Sequence, residues 1–234
     1  MKLAKKLAPL YFLVLAGILS VVILADRTVT TLAQTELGTA GRTIIIDAGH
    51  GGIDGGATSC TGVLESQLNL EIALRLDDLM RLLGHRTLMI RTTDKSVYTS
   101  GATIAAQKVS DLKERVRMVN ETENAVLISI HQNIFSDSKY AGAQVFYAND
   151  EDSRKIAGQL QENLIRILNP GSNRKCKKAD SVYLMEHIQN PGILVECGFL
   201  SNVAEEASLR SADYQQKLCS VIAATVSSHL GEGK

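Results

Sequence analysis

Apolar residues recur along this chain in two alternating rhythms. Short aliphatic or β-branched runs at Ile44–Ile46, Thr87–Ile90, Ala125–Ile130, Gln144–Tyr147 and Ile193–Val195 read as buried strands. Between them the spacing becomes helical. Leu64, Leu68, Ile72, Leu76, Leu79 and Leu83 mark one face of a long helix stopped by Gly84, and a second helix carries Leu112, Val116 and Val119. Ile156, Leu160, Leu164 and Ile167 form the stripe of a helix over Ser153–Leu168, ended by Asn169-Pro170-Gly171, and Leu218, Ile222 and Val226 belong to a last helix. Strands alternating with helices predict an α/β domain in three layers, a central twisted, mostly parallel sheet flanked by helices.

The N-terminal segment has a different pattern. Lys2, Lys5 and Lys6 precede an uncharged run from Leu7 to Ala25, closed by Asp26 and Arg27. As a helix that run spans about 28 Å, close to the hydrocarbon thickness of a bilayer. The flanking lysines predict that its N-terminal end stays cytoplasmic and the remainder is exported. Residues 1–26 therefore read as a membrane anchor, 27–41 as an aperiodic linker, and 42–232 as the globular domain. A cleaved signal peptide is the competing account, with weak cleavage sites at Ile23-Leu24-Ala25 and Thr31-Leu32-Ala33. Both place the domain outside the cytoplasm.

Composition changes this picture little. The chain is 45% hydrophobic, enough for a sizeable core. Lys+Arg and Asp+Glu are both 25, so no basic excess points to nucleic acid. Cys60, Cys176, Cys197 and Cys219 show no Cys-x-x-Cys pair, which argues against a zinc ribbon; Cys197 and Cys219 read as small buried hydrophobes.

Candidate chemistry gathers where strands run out. The stretch Thr43–Ala57, TIIIDAGHGGIDGGA, is a strand emptying into a glycine loop, with His50 between two glycines. It is no dinucleotide loop, because the third glycine of GxGxxG falls on Asp54. His131 follows the strand Ala125–Ile130, Glu196 follows Ile193–Val195, and Glu65 opens the first long helix, where an acid also suits the helix dipole. In a parallel sheet these strand ends converge on one edge. Two imidazoles and a carboxylate, with a position left for water, make a catalytic zinc arrangement, and a nearby carboxylate off the metal supplies a general base. The helical HExxH signature is absent, and so is the His-x-x-Glu pair of zinc carboxypeptidases, since Ile53 occupies the position after His50 where Glu would stand. His85, His187 and His229 sit in contexts that suit structural roles. Arg91, Arg115 and Arg174 could meet substrate carboxylates, but a structural or solvated role accounts for each of them better, and they are not counted among the site residues. Cys60 is not counted as a ligand, because a thiolate would close the open position.

Three blocks, Ile44–Ala57, Ser129–Asn133 (SIHQN) and Leu194–Asn202 (LVECGFLSN), resemble the signatures of the zinc-dependent N-acetylmuramoyl-L-alanine amidases, the Amidase_3 family, in the family's order. The resemblance spans about residues 42–230. It implies Zn2+ held by His50, Glu65 and His131, with Glu196 as catalytic acid/base and peptidoglycan as substrate. Within the family, KVSDLKERVR at Lys108–Arg117 and SKYAGAQVFY at Ser138–Tyr147 are similar to the sporulation-specific amidases acting on spore cortex, in the first step toward muramic-δ-lactam. The loop after Asp94 is short, unlike the inhibitory insertion of Gram-negative division amidases, and some members require an accessory activating protein. A general vegetative wall amidase, a zinc carboxypeptidase and a non-catalytic wall-binding module are the rival expectations.

Overall fold

The computed structural model describes residues 41–232; the expected anchor and all of the expected linker except Gly41 lie outside the described residues. Among the described residues no helix is long and apolar enough to cross a membrane. Six strands form one sheet: β1 (Thr43–Ala48), β2 (Thr87–Met89), β3 (Ala125–Asn133), β4 (Gln144–Tyr147), β5 (Lys177–Lys178) and β6 (Gly192–Phe199). Their spatial order is β2-β1-β3-β6-β4-β5. Pairings are parallel except β4 with β6, so the sheet is mixed, with its antiparallel step next to one edge.

The helices are α1 (Glu65–Leu82), α2 (Ile104–Glu121), α3 (Glu151–Ile167), α4 (Tyr183–His187), α5 (Val203–Leu209) and α6 (Ala212–Glu232). Alternation along the strands sorts the core into two faces. Ile44, Ile46, Ile128, Ile130 and Val195 point toward Leu68, Ile72 and Leu76 of α1, Leu160 of α3 and Ile222 of α6. Ile45, Leu127 and Leu194 point the other way, toward Val119 of α2 and Leu184 and Met185 of α4. Each fully buried Ile or Leu contributes about 1.5–3 kcal/mol, so the central strands carry much of the hydrophobic stabilisation. The three layers expected from the sequence are present.

Two expectations need correction. β3 and β6 run beyond the apolar residues that announce them, so His131 and Glu196 lie inside strands rather than at their ends. The backbone ladder continues because Gln132, Cys197 and Phe199 are themselves buried, although HQN and ECGF do not read as an apolar run. On α2, Leu112 is exposed and the buried residues are Arg115 and Val119. That helix leans over the loop after β1, where a carboxylate and several carbonyls call for a cation.

Candidate metal centre

β1 delivers its chain to the carboxyl edge of the sheet and ends at Ala48. The loop that follows folds back on itself through Gly51 N–H to Asp54 O (2.8 Å) and Asp54 N–H to Gly51 O (3.1 Å). His50 takes a left-handed backbone there, φ 60, which a residue bearing a β-carbon rarely adopts. Two buried arginines hold it. Arg91 donates to Ala48 O (2.7 Å), Gly49 O (3.0 Å) and Ser66 O (2.8 Å). Arg115 donates to Ala48 O (3.1 Å), to His50 O (2.7 Å), to Asp111 (2.6 Å) and to the Asp47 carboxylate. Both are therefore structural clamps of the loop. Arg174, the third arginine weighed, donates to Ala141 O (3.1 Å) and lies 5.0 Å over the Phe199 ring.

The loop sets His50 against residues from two other elements. Glu65 is the first residue of α1, with Leu64 before it giving no side-chain cap. His131 of β3 stands opposite Glu196 of β6 in register. His131 Nδ1 lies 3.0 Å and His50 Nε2 3.3 Å from Glu65 Oε1, and the imidazole rings meet edge-on with centroids 5.0 Å apart. One ligand atom from each of His50, Glu65 and His131 falls within 4.8 Å of the others, a group able to hold a metal ion. Glycines make the approach possible. A β-carbon on Gly49 would fall 2.2 Å from His131 Nε2, and one on Gly56 would fall 2.7 Å from Glu65 Oε2.

Other partners fix the orientation of these groups. Asp54 Oδ2 sits 2.9 Å from His50 Nδ1, and its Oδ1 is 2.7 Å from Lys108 Nζ on α2. An Nδ1–H held by that carboxylate leaves Nε2 as the free donor atom, the usual orientation of a metal-binding imidazole. Glu65 Oε2 accepts from Ala57 N–H (3.0 Å), and Oε1 from Gln132 N–H (3.2 Å) and Asn69 Nδ2 (3.3 Å).

The electrostatics follow from these contacts. Burial opposes ionisation of Glu65, but hydrogen bonds and attraction from His131 and His50 outweigh it and hold the carboxyl well below its usual range. Burial likewise disfavours charge on His50, yet Glu65 and Asp54 beside it raise the imidazole to about 9. Burial pushes the Glu196 carboxyl up to about 7; the charge of Glu65 adds to this and the two imidazoles oppose it.

Glu196 Oε2 is buried without a hydrogen-bond partner. A buried carboxylate oxygen without a partner is costly unless something else meets it. Beside it stands a donor set of two imidazoles and a carboxylate, which suits a divalent ion with an open position. The residues present therefore fit a metal.

The four residues singled out from sequence, His50, Glu65, His131 and Glu196, come together at one edge. His85, His187 and His229 lie elsewhere, bonded to Ser227 Oγ (2.7 Å), Tyr183 O (2.8 Å) and Asp152 Oδ1 (2.6 Å) respectively. Cys60 is exposed and is not part of this group. Asp54, Lys108, Asn69 and Gln132 were not anticipated. Asn69 had a sequence signal, a polar residue four positions after Glu65 and inside the apolar stripe of α1.

Fold and site together define an α/β protein with a candidate metal centre at the carboxyl edge of its sheet. Comparison with known proteins then gives the lineage. The family model for Amidase_3, N-acetylmuramoyl-L-alanine amidase, matches residues 44–228, and the chain belongs to that family of cell-wall hydrolases. It is 37% identical over 185 residues to the germination-specific N-acetylmuramoyl-L-alanine amidase of Bacillus subtilis, covering 78% of this chain and 77% of that protein. Among solved structures it is similar to the CwlD amidase from Clostridioides difficile in complex with the GerS lipoprotein (TM-score 0.78, 36% identity, 82% of this chain and 100% of that one). A second N-acetylmuramoyl-L-alanine amidase, from Clostridium difficile 630, gives TM-score 0.72 at 29% identity, covering 83% of this chain and 99% of that one.

Proposed function

We propose that the protein is a zinc-dependent amidase of spore-cortex peptidoglycan. It cleaves the amide between the lactyl group of N-acetylmuramic acid and L-alanine of the stem peptide, as the first step toward muramic-δ-lactam. His50, Glu65 and His131 hold the zinc, and Glu196 is the catalytic acid/base. The observation that carries this reading is the buried, unpartnered Glu196 oxygen beside a donor set that leaves one coordination position open. The cortex assignment is supported by likeness to the germination-specific relative and to CwlD.

The chemistry such an ion supplies when bound is activation of a water and polarisation of the scissile carbonyl. The protein's own groups do the rest. Asp54 holds the His50 ring so that Nε2 faces the centre. Burial keeps Glu196 poised near neutrality, where a carboxyl can both accept and return a proton. Glu196 accepts the proton of the attacking water as the new C–O bond forms. It passes that proton to the L-alanine nitrogen as the C–N bond breaks, so the leaving group departs as a neutral amine.

In this reading residues 42–232 are the catalytic domain, exported behind the N-terminal anchor or after removal of a signal peptide, and acting outside the cytoplasm. An accessory lipoprotein is a fitting partner, since the CwlD relative was solved with one. Mass spectrometry of digested peptidoglycan tests the activity. Free L-alanine amino termini with intact glycan support it; shortened stems or unchanged material contradict it.

A further inference from the structure

We propose that Asn69 and Gln132 are positioning residues for the metal centre, a neutral buried amide chain that sets the Glu65 carboxylate in place before any ion binds. This rests on the proposed zinc role of Glu65. Asn69 is wholly buried and Gln132 is 3% exposed. The Asn69 amide nitrogen reaches both Glu65 Oε1 (3.3 Å) and Gly49 O (3.1 Å), and its oxygen accepts from Gln132 Nε2 (3.1 Å). Gln132 also donates its backbone N–H to the same Glu65 oxygen (3.2 Å). One side chain on α1 thus ties together the three elements that supply the putting-together of the centre: the loop bearing His50, the helix bearing Glu65 and the strand bearing His131.

The residue types are informative. Asparagine is a poor helix former, and a polar side chain among Leu68, Ile72 and Ala73 of the core face is unfavourable unless bonded. An apolar residue would fill the same space without that demand. A lysine or arginine would bond Glu65 as well but would repel a divalent ion, and an acid would repel Glu65. An amide combines donors for both the Glu65 carboxylate and the Gly49 carbonyl with an acceptor for Gln132, and carries no net charge. Asn69 uses both donor directions and its acceptor, so its geometry is fixed from three sides. Groups that orient ligands from outside the coordination sphere typically change metal affinity about 10–100-fold when removed.

The test is chelator-competition measurement of zinc affinity on the full chain, alongside the thermal midpoint of the zinc-free protein. Asn69→Ala removes the donor, and Asn69→Leu removes it while keeping the volume. Both should weaken zinc binding by about 10–100-fold. Gln132→Ala should weaken it less, because Asn69 still donates to Glu65. The double variant Asn69→Ala/Gln132→Ala should bind no more weakly than Asn69→Ala alone, since the two act in one chain. Lowered thermal midpoints with wild-type zinc affinity in both Asn69 variants would overturn the positioning role while leaving the function standing. A wild-type chain that binds no zinc would overturn both.

Discussion

His131 and Glu196 are register partners on adjacent parallel strands, β3 and β6. Side chains paired this way point to the same face of the sheet, so the fold fixes the Glu196 carboxylate, the proposed proton acceptor, beside the His131 imidazole, a proposed metal ligand. Backbone pairing of two central strands is rigid, and it leaves little freedom for Glu196 to drift from His131. Glu196→Gln should therefore keep the fold and its zinc while losing about 10²–10⁴-fold in turnover, read from peptidoglycan digestion together with metal content.

The same carboxyl sets a pH dependence. In the proposed mechanism Glu196 is ionised when it accepts a proton, and burial raises its pKa to about 7 when no ion is present. A bound cation favours the carboxylate and moves that value down. Activity should rise with pH along an acid limb whose midpoint lies at or below about 7, and Glu196→Gln should abolish that limb. A kcat/KM profile measured in both proteins checks it.

Gly49 is the only residue type the His131 ring tolerates at that position, because a β-carbon would overlap it at 2.2 Å. Gly49→Ala should displace the imidazole and cost about 1–3 kcal/mol of stability, with zinc retention lost. Denaturant unfolding and metal analysis of the same sample separate the two effects.

Asp54 has no contact with the proposed reaction except through His50, so its loss should show first in metal binding. Asp54→Asn weakens the hold on the His50 Nδ1 side, and zinc affinity should fall about 10–100-fold. Lys108→Ala, one step further out and half exposed, should have a smaller effect in the same direction.

Beneath the loop, Asp47 is buried against Arg115, with Ser129 Oγ donating to it at 2.7 Å. Burial raises its pKa, but attraction from Arg115 and His131 and these hydrogen bonds prevail and hold it below the ordinary value of 3.8. A carboxylate depressed in the folded state contributes stability above its unfolded pKa and loses it as pH falls through the folded value. Stability of the wild type should thus decline on acidification below about pH 4. Asp47→Asn should remove that part of the decline and cost about 3 kcal/mol at neutral pH, because Arg115 keeps a buried charge with one partner fewer. Unfolding curves across pH measure both.

How much of this was legible in the sequence depends on distance along the chain. His50, His131 and Glu196 each follow an apolar run, and Glu65 opens a strongly periodic helix, so a parallel sheet brings them to one edge almost by construction. The supporting groups gave no such cue. Gln132 meets Asn69 across 63 residues and Arg115 meets Asp47 across 68, contacts that only packing creates. From sequence Arg115 reads as a possible substrate contact, because an arginine's sequence surroundings do not reveal that it points inward. Strand lengths were underestimated for a related reason: buried Gln132 and Cys197 continue the ladder although no hydrophobic run announces them.

Every proposed role in the site depends on a bound zinc. Zinc content and peptidoglycan amidase activity of the purified full chain, measured before chelation, after it and after zinc is restored, test it most directly. One zinc per chain is expected, with activity lost on chelation and regained with zinc. A metal-free protein that releases L-alanine amino termini at the undiminished rate would contradict it.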